Sequence, residues 1–192
     1  MRTDQREHKQ TIAPKKLSLN IIEWPTILIS ILIYTAFGLL TWGYHALPWW
    51  LLLPLGGYVV AWHGSLQHEV VHDHPTPWPL INEALVFPSL WLWLPFRTYR
   101  EDHRRHHSAK DLTDPQEDPE SYYVTPDTWA HCNGIQKTLL QANNSFAGRL
   151  LLGPWLAVWR SLVAESRKLC HGDRGAWLNW SLHAVGCAIV LT

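Results

Sequence analysis

The chain has 192 residues, and its sixteen lysines and arginines balance sixteen aspartates and glutamates, so nothing in its charge suggests a nucleic-acid partner. Thirteen tryptophans point instead towards a bilayer, because the amphipathic indole favours the membrane–water boundary. Cys132, Cys170 and Cys187 are widely spaced and include no C-x-x-C pair, which supports neither a disulfide framework nor a zinc ribbon.

Residues 1–18 read as a polar N-terminal tail. From Trp24 to Gln67 there is no Asp, Glu, Lys or Arg. About 20 helical residues cross a ~30 Å hydrocarbon core, so this window holds two predicted spans, roughly residues 24–44 and 49–72. "HALPWW" divides them, with Pro48 as breaker and Trp49 and Trp50 as interfacial anchors. A signal peptide is the competing reading, but the first apolar run is too long and no small-residue cleavage site follows it.

The basic residues set the expected orientation. Arg2, Arg6, Lys9, Lys15 and Lys16 precede the first span, and Arg97, Arg100, Arg104, Arg105 and Lys110 follow the second, with none between them. The positive-inside rule then puts both the N-terminus and the middle of the chain in the cytosol. Leu51 to His68 spans about 26 Å of helix, so His68 and His72 emerge near the cytosolic face.

Residues 79–96, interrupted by Glu83 and Pro88, read as an interfacial or re-entrant segment. Residues 97–110 read as a charged helix, and "KDLTDPQEDPESYYVTPD" as an acidic loop punctuated by prolines. Residues 149–168 suit an amphipathic helix lying on the membrane, and the apolar run from Gly175 begins a third span. The predicted fold class is therefore an all-α integral membrane protein: a transmembrane helical hairpin, cytosolic-face helices and the start of a further span, as a single domain over residues 1–192.

Histidines carry the chemistry. "HEVVH" places His68 and His72 about 40° apart on one helical face, and "HRRHH" places His103, His106 and His107 within a ~100° arc. Polar clusters beside a bilayer core are costly and usually functional. H-E-x-x-H alone is a zinc-protease signature with Glu69 as base, but a catalytic zinc takes three protein ligands, and three further imidazoles exceed that need. A two-metal centre would use them all, and imidazole suits iron as well as zinc. A lipid-headgroup patch is the plainer reading of "HRRHH".

With these two clusters the chain resembles the membrane fatty acid desaturase superfamily, which also holds hydroxylases and ketolases. "HEVVH" and "HRRHH" look like its first two histidine boxes, and "HSAKDLTDPQEDPESYY" is similar to the acidic segment that follows the second box in bacterial members. The resemblance implies a di-iron site with His68, His72, His103, His106 and His107 as ligands and dioxygen as co-substrate. It implies desaturation of an acyl chain carried on lipid, acyl carrier protein or coenzyme A, in a bacterial inner membrane. Electrons would come from a ferredoxin-like or cytochrome donor, since no haem, flavin or iron–sulfur motif is visible, and Arg97, Arg100, Arg104 or Arg105 could attract an acidic one.

Metal-bound imidazoles usually give their other N–H to a carboxylate. Glu69, Asp73, Asp102, Asp111, Asp114 and Asp118 are the candidates, and His74 is expected as an accessory ligand or a supporting group. His63, back inside the second span, reads as packing or as lining a substrate path. The family's third box, of the H-x-x-H-H kind, is not in this sequence, so the chain is expected to be an N-terminal fragment unable to turn over alone. Three rivals stay open: hydroxylation or ketolation on the same scaffold, an intramembrane zinc protease, and a lipid-binding protein without catalysis.

Overall fold

Proline and glycine set the ends of the first two helices. The computed structural model describes residues 22–192, and among them every regular element is helical. Helix α1 (Trp24–Trp42) opens with Pro25 in its first turn, where the missing N–H costs nothing, and closes at Gly43. A 3₁₀ turn at Tyr44–Ala46 and extended Pro48 then lead into α2 (Trp49–Val71), which runs back along α1. The hairpin ends lie within two residues of the sequence expectation. The polar tail at residues 1–18 falls outside the described residues.

Helix α3 (Pro79–Val86) is short, and residues 87–95 that follow it are irregular. This segment folds back on the hairpin. The Tyr34 hydroxyl of α1 lies 2.9 Å from the carbonyls of both Leu85 and Pro88, and Trp91 Nε1 donates to the Val60 carbonyl at 3.0 Å. Asn82 fixes the turn after α2: its Oδ1 accepts from the Thr76 N–H and hydroxyl, and its Nδ2 donates to the Thr76 and Asp73 carbonyls.

Helix α4 (Phe96–Ser108) follows, and then an irregular acidic loop. Beyond it come α5 (Pro126–His131), α6 (Gly134–Ala142), α7 (Phe146–Leu151), α8 (Gly153–Cys170) and α9 (Arg174–Leu191). Side chains of Thr125, Asn133, Ser145 and Asp173 accept from backbone N–H groups at four of these N-termini, which would otherwise be left without partners. The expected amphipathic helix over 149–168 is broken at Leu152 into α7 and α8. Gly153 and Pro154 start the second piece, where the proline's missing N–H costs no intrahelical hydrogen bond.

The core is small and lies where α1, α2, α3 and α4 meet. Ile33, Val59, Leu66, Val70, Val71, Val86, Leu90 and Phe96 form it. Helix α4 also packs on α9, and α9 on α8. Glu165, almost wholly buried, ties these three together: its Oε2 accepts from Thr98 Oγ1 of α4 (3.3 Å) and Trp180 Nε1 of α9 (3.0 Å), and its Oε1 pairs with Lys168 (2.7 Å). Burial works against the Lys168 ammonium, but the Glu165 bond together with the charges of Glu165, Asp102 and Glu101 holds the lysine above its ordinary pKa.

Outside this core the hairpin presents apolar side chains outward, among them Leu28, Leu32, Trp42, Trp49, Leu53 and Tyr58. Among the described residues only α1 is long and apolar enough throughout to cross a membrane. The sequence reading expected two such helices and the start of a third. Helix α2 has the length, but His63, Ser65, Gln67, His68 and Glu69 make its final turns polar, and α9 carries Asn179 and His183 within 18 residues.

Candidate metal centre

The last turns of α2 deliver His68 and His72, and the second half of α4 delivers His103 and His107. Each pair is spaced i, i+4, so both members share one helical face. One ring nitrogen from each of the four lies within 4.8 Å of all the others. Ring centroids are 4.7 Å apart for His68–His72, His68–His103 and His103–His107, and 4.8 Å for His72–His107. His103 Nε2 and His107 Nε2 approach to 3.1 Å. Four imidazole nitrogens converging from two helices are a donor set suited to a first-row transition metal. The residues present fit such an ion.

An arginine joins the two helices. Arg104, between the paired histidines of α4, donates from Nε (3.2 Å) and Nη2 (2.9 Å) to the Val71 carbonyl at the end of α2, and from Nη2 to Asp73 Oδ1 (2.9 Å). The last carbonyls of a helix lack intrahelical partners and carry its negative dipole end, so a guanidinium is the natural group to close there.

The acidic loop supplies carboxylates behind the rings. Asp118, 2 % exposed, takes the His106 Nδ1–H at 2.9 Å and the Glu120 N–H at 2.8 Å on the same oxygen. Glu120 Oε1 lies 2.7 Å from His103 Nδ1. A carboxylate on Nδ1 keeps the proton there and leaves Nε2 as the donor atom for a metal. Tyr99 stacks on His103 with centroids 5.5 Å apart, and burial pushes its phenol up to about 12.

The other candidates lie elsewhere. His106 shares the α4 face, yet it is not one of the four convergent imidazoles. Half-exposed Glu69 has its Oε1 3.9 Å from His68 Nδ1. His74 turns away to Glu23, Nδ1 to Oε1 2.5 Å. Asp111 accepts from the Thr113 hydroxyl and N–H, which hold its carboxyl below the usual range, and Asp114 accepts from the Gln116 N–H. Both are turn-formers in the loop. His63 is fully buried beside Tyr34, 3.2 Å from its hydroxyl.

The four arginines considered for donor docking all have partners within the chain. Arg97 and Arg100 hold Glu83, Arg104 holds Val71 and Asp73, and Arg105 binds the Gln116 and Glu117 carbonyls. Sequence reasoning missed Glu120 and the joining role of Arg104. The signal for the first was the Asp118-Pro119-Glu120 turn, which sets two carboxylates side by side; no pattern in the sequence announces the second.

An open cleft of about 550 Å³ runs up to the cluster, lined by Ala61, Gly64, Ser65, His68, Glu69, Trp91 and Tyr99. Helical histidine pairs facing one another beside such a cleft form a histidine-box arrangement that could hold a metal ion. Residues 44–192 match the family model described as fatty acid desaturase, a stretch that takes in both histidine clusters, and the chain belongs to that family. No curated protein and no solved structure matches the chain significantly.

Proposed function

We propose that the protein is a membrane-embedded, iron-dependent oxidoreductase that uses dioxygen to desaturate an acyl chain. The observation that carries this reading is the convergence of His68, His72, His103 and His107 beside an open cleft, in a chain of the desaturase family. Those four side chains would hold one iron, and His106 lies one helical step away for another. Bound iron supplies the redox chemistry with oxygen that no side chain can perform.

The chain's own part is to position and to exclude. Exposed Ala61 and Ser65 are small and leave room along α2 for a methylene chain, while Trp91, packed against Gly64, and Tyr99 wall the other side. A chain laid there passes His68. The carboxylates of Asp118 and Glu120 hold the Nδ1 protons of His106 and His103, which fixes the orientation of both rings.

The apolar outer faces of α1, α2 and α9 support seating in a bilayer, and the distribution of lysines and arginines favours the histidines at its cytosolic surface. A bacterial inner membrane is the proposed location. The substrate is an acyl group on lipid, acyl carrier protein or coenzyme A, and electrons come from a separate ferredoxin-like or cytochrome donor.

Expression in a host that lacks desaturases, with lipid analysis by mass spectrometry and iron analysis of the purified protein, tests the reading. Bound iron that is lost in His103→Ala is expected, with a new double bond only where a third histidine box is supplied. Hydroxylated product instead of alkene would replace the reaction but keep the centre. Protein without iron, and no product, would overturn the proposal.

A further inference from the structure

We infer that the hairpin encloses a buried water site between α1 and α2, formed by Ser30, His63 and Gln67. It lies inside the helix pair, apart from the metal centre, and does not depend on a metal.

His63 and Gln67 are spaced i, i+4 on one face of α2, and both are wholly buried. Among the described residues, His63 Nδ1 and both ends of the Gln67 amide, Oε1 and Nε2, have no hydrogen-bond partner. Helix α1 carries the same spacing. Its Tyr34 meets His63, and Ser30, one turn back, is 3 % exposed. The helices run antiparallel, as the bond from the Glu23 N–H to the Pro75 carbonyl also shows. Gln67, one turn on from His63, therefore stands level with Ser30.

The Tyr34 hydroxyl decides which form of His63 is present. It lies 2.9 Å from the Leu85 and Pro88 carbonyls, which can only accept, so its single proton goes to one of them. His63 Nε2, 3.2 Å from the same oxygen, then holds the ring proton and donates it, which leaves Nδ1 as a bare acceptor. Gln67 adds an acceptor in Oε1 and a donor in Nε2, and the Ser30 hydroxyl can serve either way. Water bonded to the amide can give a proton to His63 Nδ1 and reach Ser30, which supplies the two to four polar partners an internal water requires. Tyr34 packs against the apolar core that holds Ile33, Val59 and Leu66, surroundings that favour a neutral occupant over an ion. Left dry, these atoms would lose their hydration with nothing in exchange, and an apolar side chain would be the more stable choice at position 67. Water here ties α1 to α2 at the residue before His68.

Radiolytic labelling of the detergent-solubilised protein in heavy-oxygen water tests the site, because radicals formed from an internal water mark the buried side chains beside it. His63 is wholly buried and should nonetheless be labelled, whereas Ile33, equally buried in the apolar core, should not. Gln67→Leu should remove most of the His63 label and lower the denaturant midpoint, with helical circular dichroism unchanged. Gln67→Met, unbranched and of similar length, should do the same and guards against a packing fault of the leucine. An unlabelled His63 in the wild type would overturn the inference whatever the variants do. A raised midpoint in both variants would also overturn it, since that is the result of removing a dry amide. A His63 label that persists at full strength in both variants would do so too, by placing the water away from Gln67.

Discussion

The Arg104 guanidinium grips the Val71 carbonyl with two nitrogens, at 3.2 and 2.9 Å, and thereby fixes α4 against the end of α2. Val71 is next to His72, and Arg104 is next to His103, so this one bond sets the distance between the two histidine pairs. Arg104→Ala removes it and leaves a helix-end carbonyl unpaired. Metal affinity should fall about 10–100-fold, the range for loss of groups that orient ligands. Arg104→Lys has one point charge in place of a fork and should lie between. Metal competition titration checks the order. Equal affinities in all three would mean that the core alone aligns the helices.

Asp118 bears on the same centre from behind. Asp118→Asn keeps an oxygen that can accept from the His106 and Glu120 N–H groups but loses the charge that makes the imidazole more basic. A fall of about 10–100-fold in metal affinity is expected, with little change in helicity. Asp118→Leu should cost more. It leaves both donors unpaired in a site that is 2 % exposed, at about 1–3 kcal/mol each. Thermal melts of the metal-free protein distinguish the two variants, and a leucine variant as stable as the asparagine one would contradict the account.

Much of this was legible in the sequence, and the reasons differ by element. The hairpin could be read because an uncharged window, a proline and a tryptophan pair all pointed to one break. The charged helix was marked by its composition between Pro95 and the acidic loop. The i, i+4 spacing brought His68 to His72 and His103 to His107, because that relationship is fixed by helical geometry alone. It could not say that His106, one step round the same helix, would turn to Asp118. That outcome depends on how the loop at 111–121 folds back, which is a tertiary matter. Arg104 was invisible for the same reason: its partner is a backbone carbonyl 33 residues away, and carbonyls leave no mark in a sequence. The missed break at Leu152 had a local cue in Gly153 and Pro154.

Metal should stabilise the fold, since four ligands from two helices are brought together only when the chain is folded. At a free metal concentration about 100 times Kd, binding contributes roughly 2.7 kcal/mol. For a domain of this size that raises Tm by roughly 5–10 °C. Differential scanning fluorimetry of detergent-solubilised protein, with and without a chelator, measures this. His103→Ala should show a much smaller response to the chelator. A chelator-sensitive Tm that survives in His103→Ala would place the stabilising metal outside the cluster.

Gly64 gives a test of the cleft that does not involve metal. A Cβ built there would stand 2.2 Å from Trp91 Cζ2 and 2.8 Å from Cε2, well inside contact distance. The indole cannot retreat freely, because its Nε1 bonds to the Val60 carbonyl at 3.0 Å and its ring stacks on Trp93 and packs against Tyr99. Gly64→Ala should therefore cost about 1–3 kcal/mol, as overpacking does, although alanine is otherwise the better helix former by roughly 0.5–1 kcal/mol. Gly57, also in α2, has nothing within 4 Å of such a Cβ, so Gly57→Ala should be stabilising by that smaller amount. In a Trp91→Ala background the clash is gone, and Gly64→Ala should change sign and behave like Gly57→Ala. A double-mutant cycle on thermal or denaturant unfolding reads this coupling directly. If Gly64→Ala costs the same with and without the indole, Trp91 is not the wall that sets the width of the cleft beside His68.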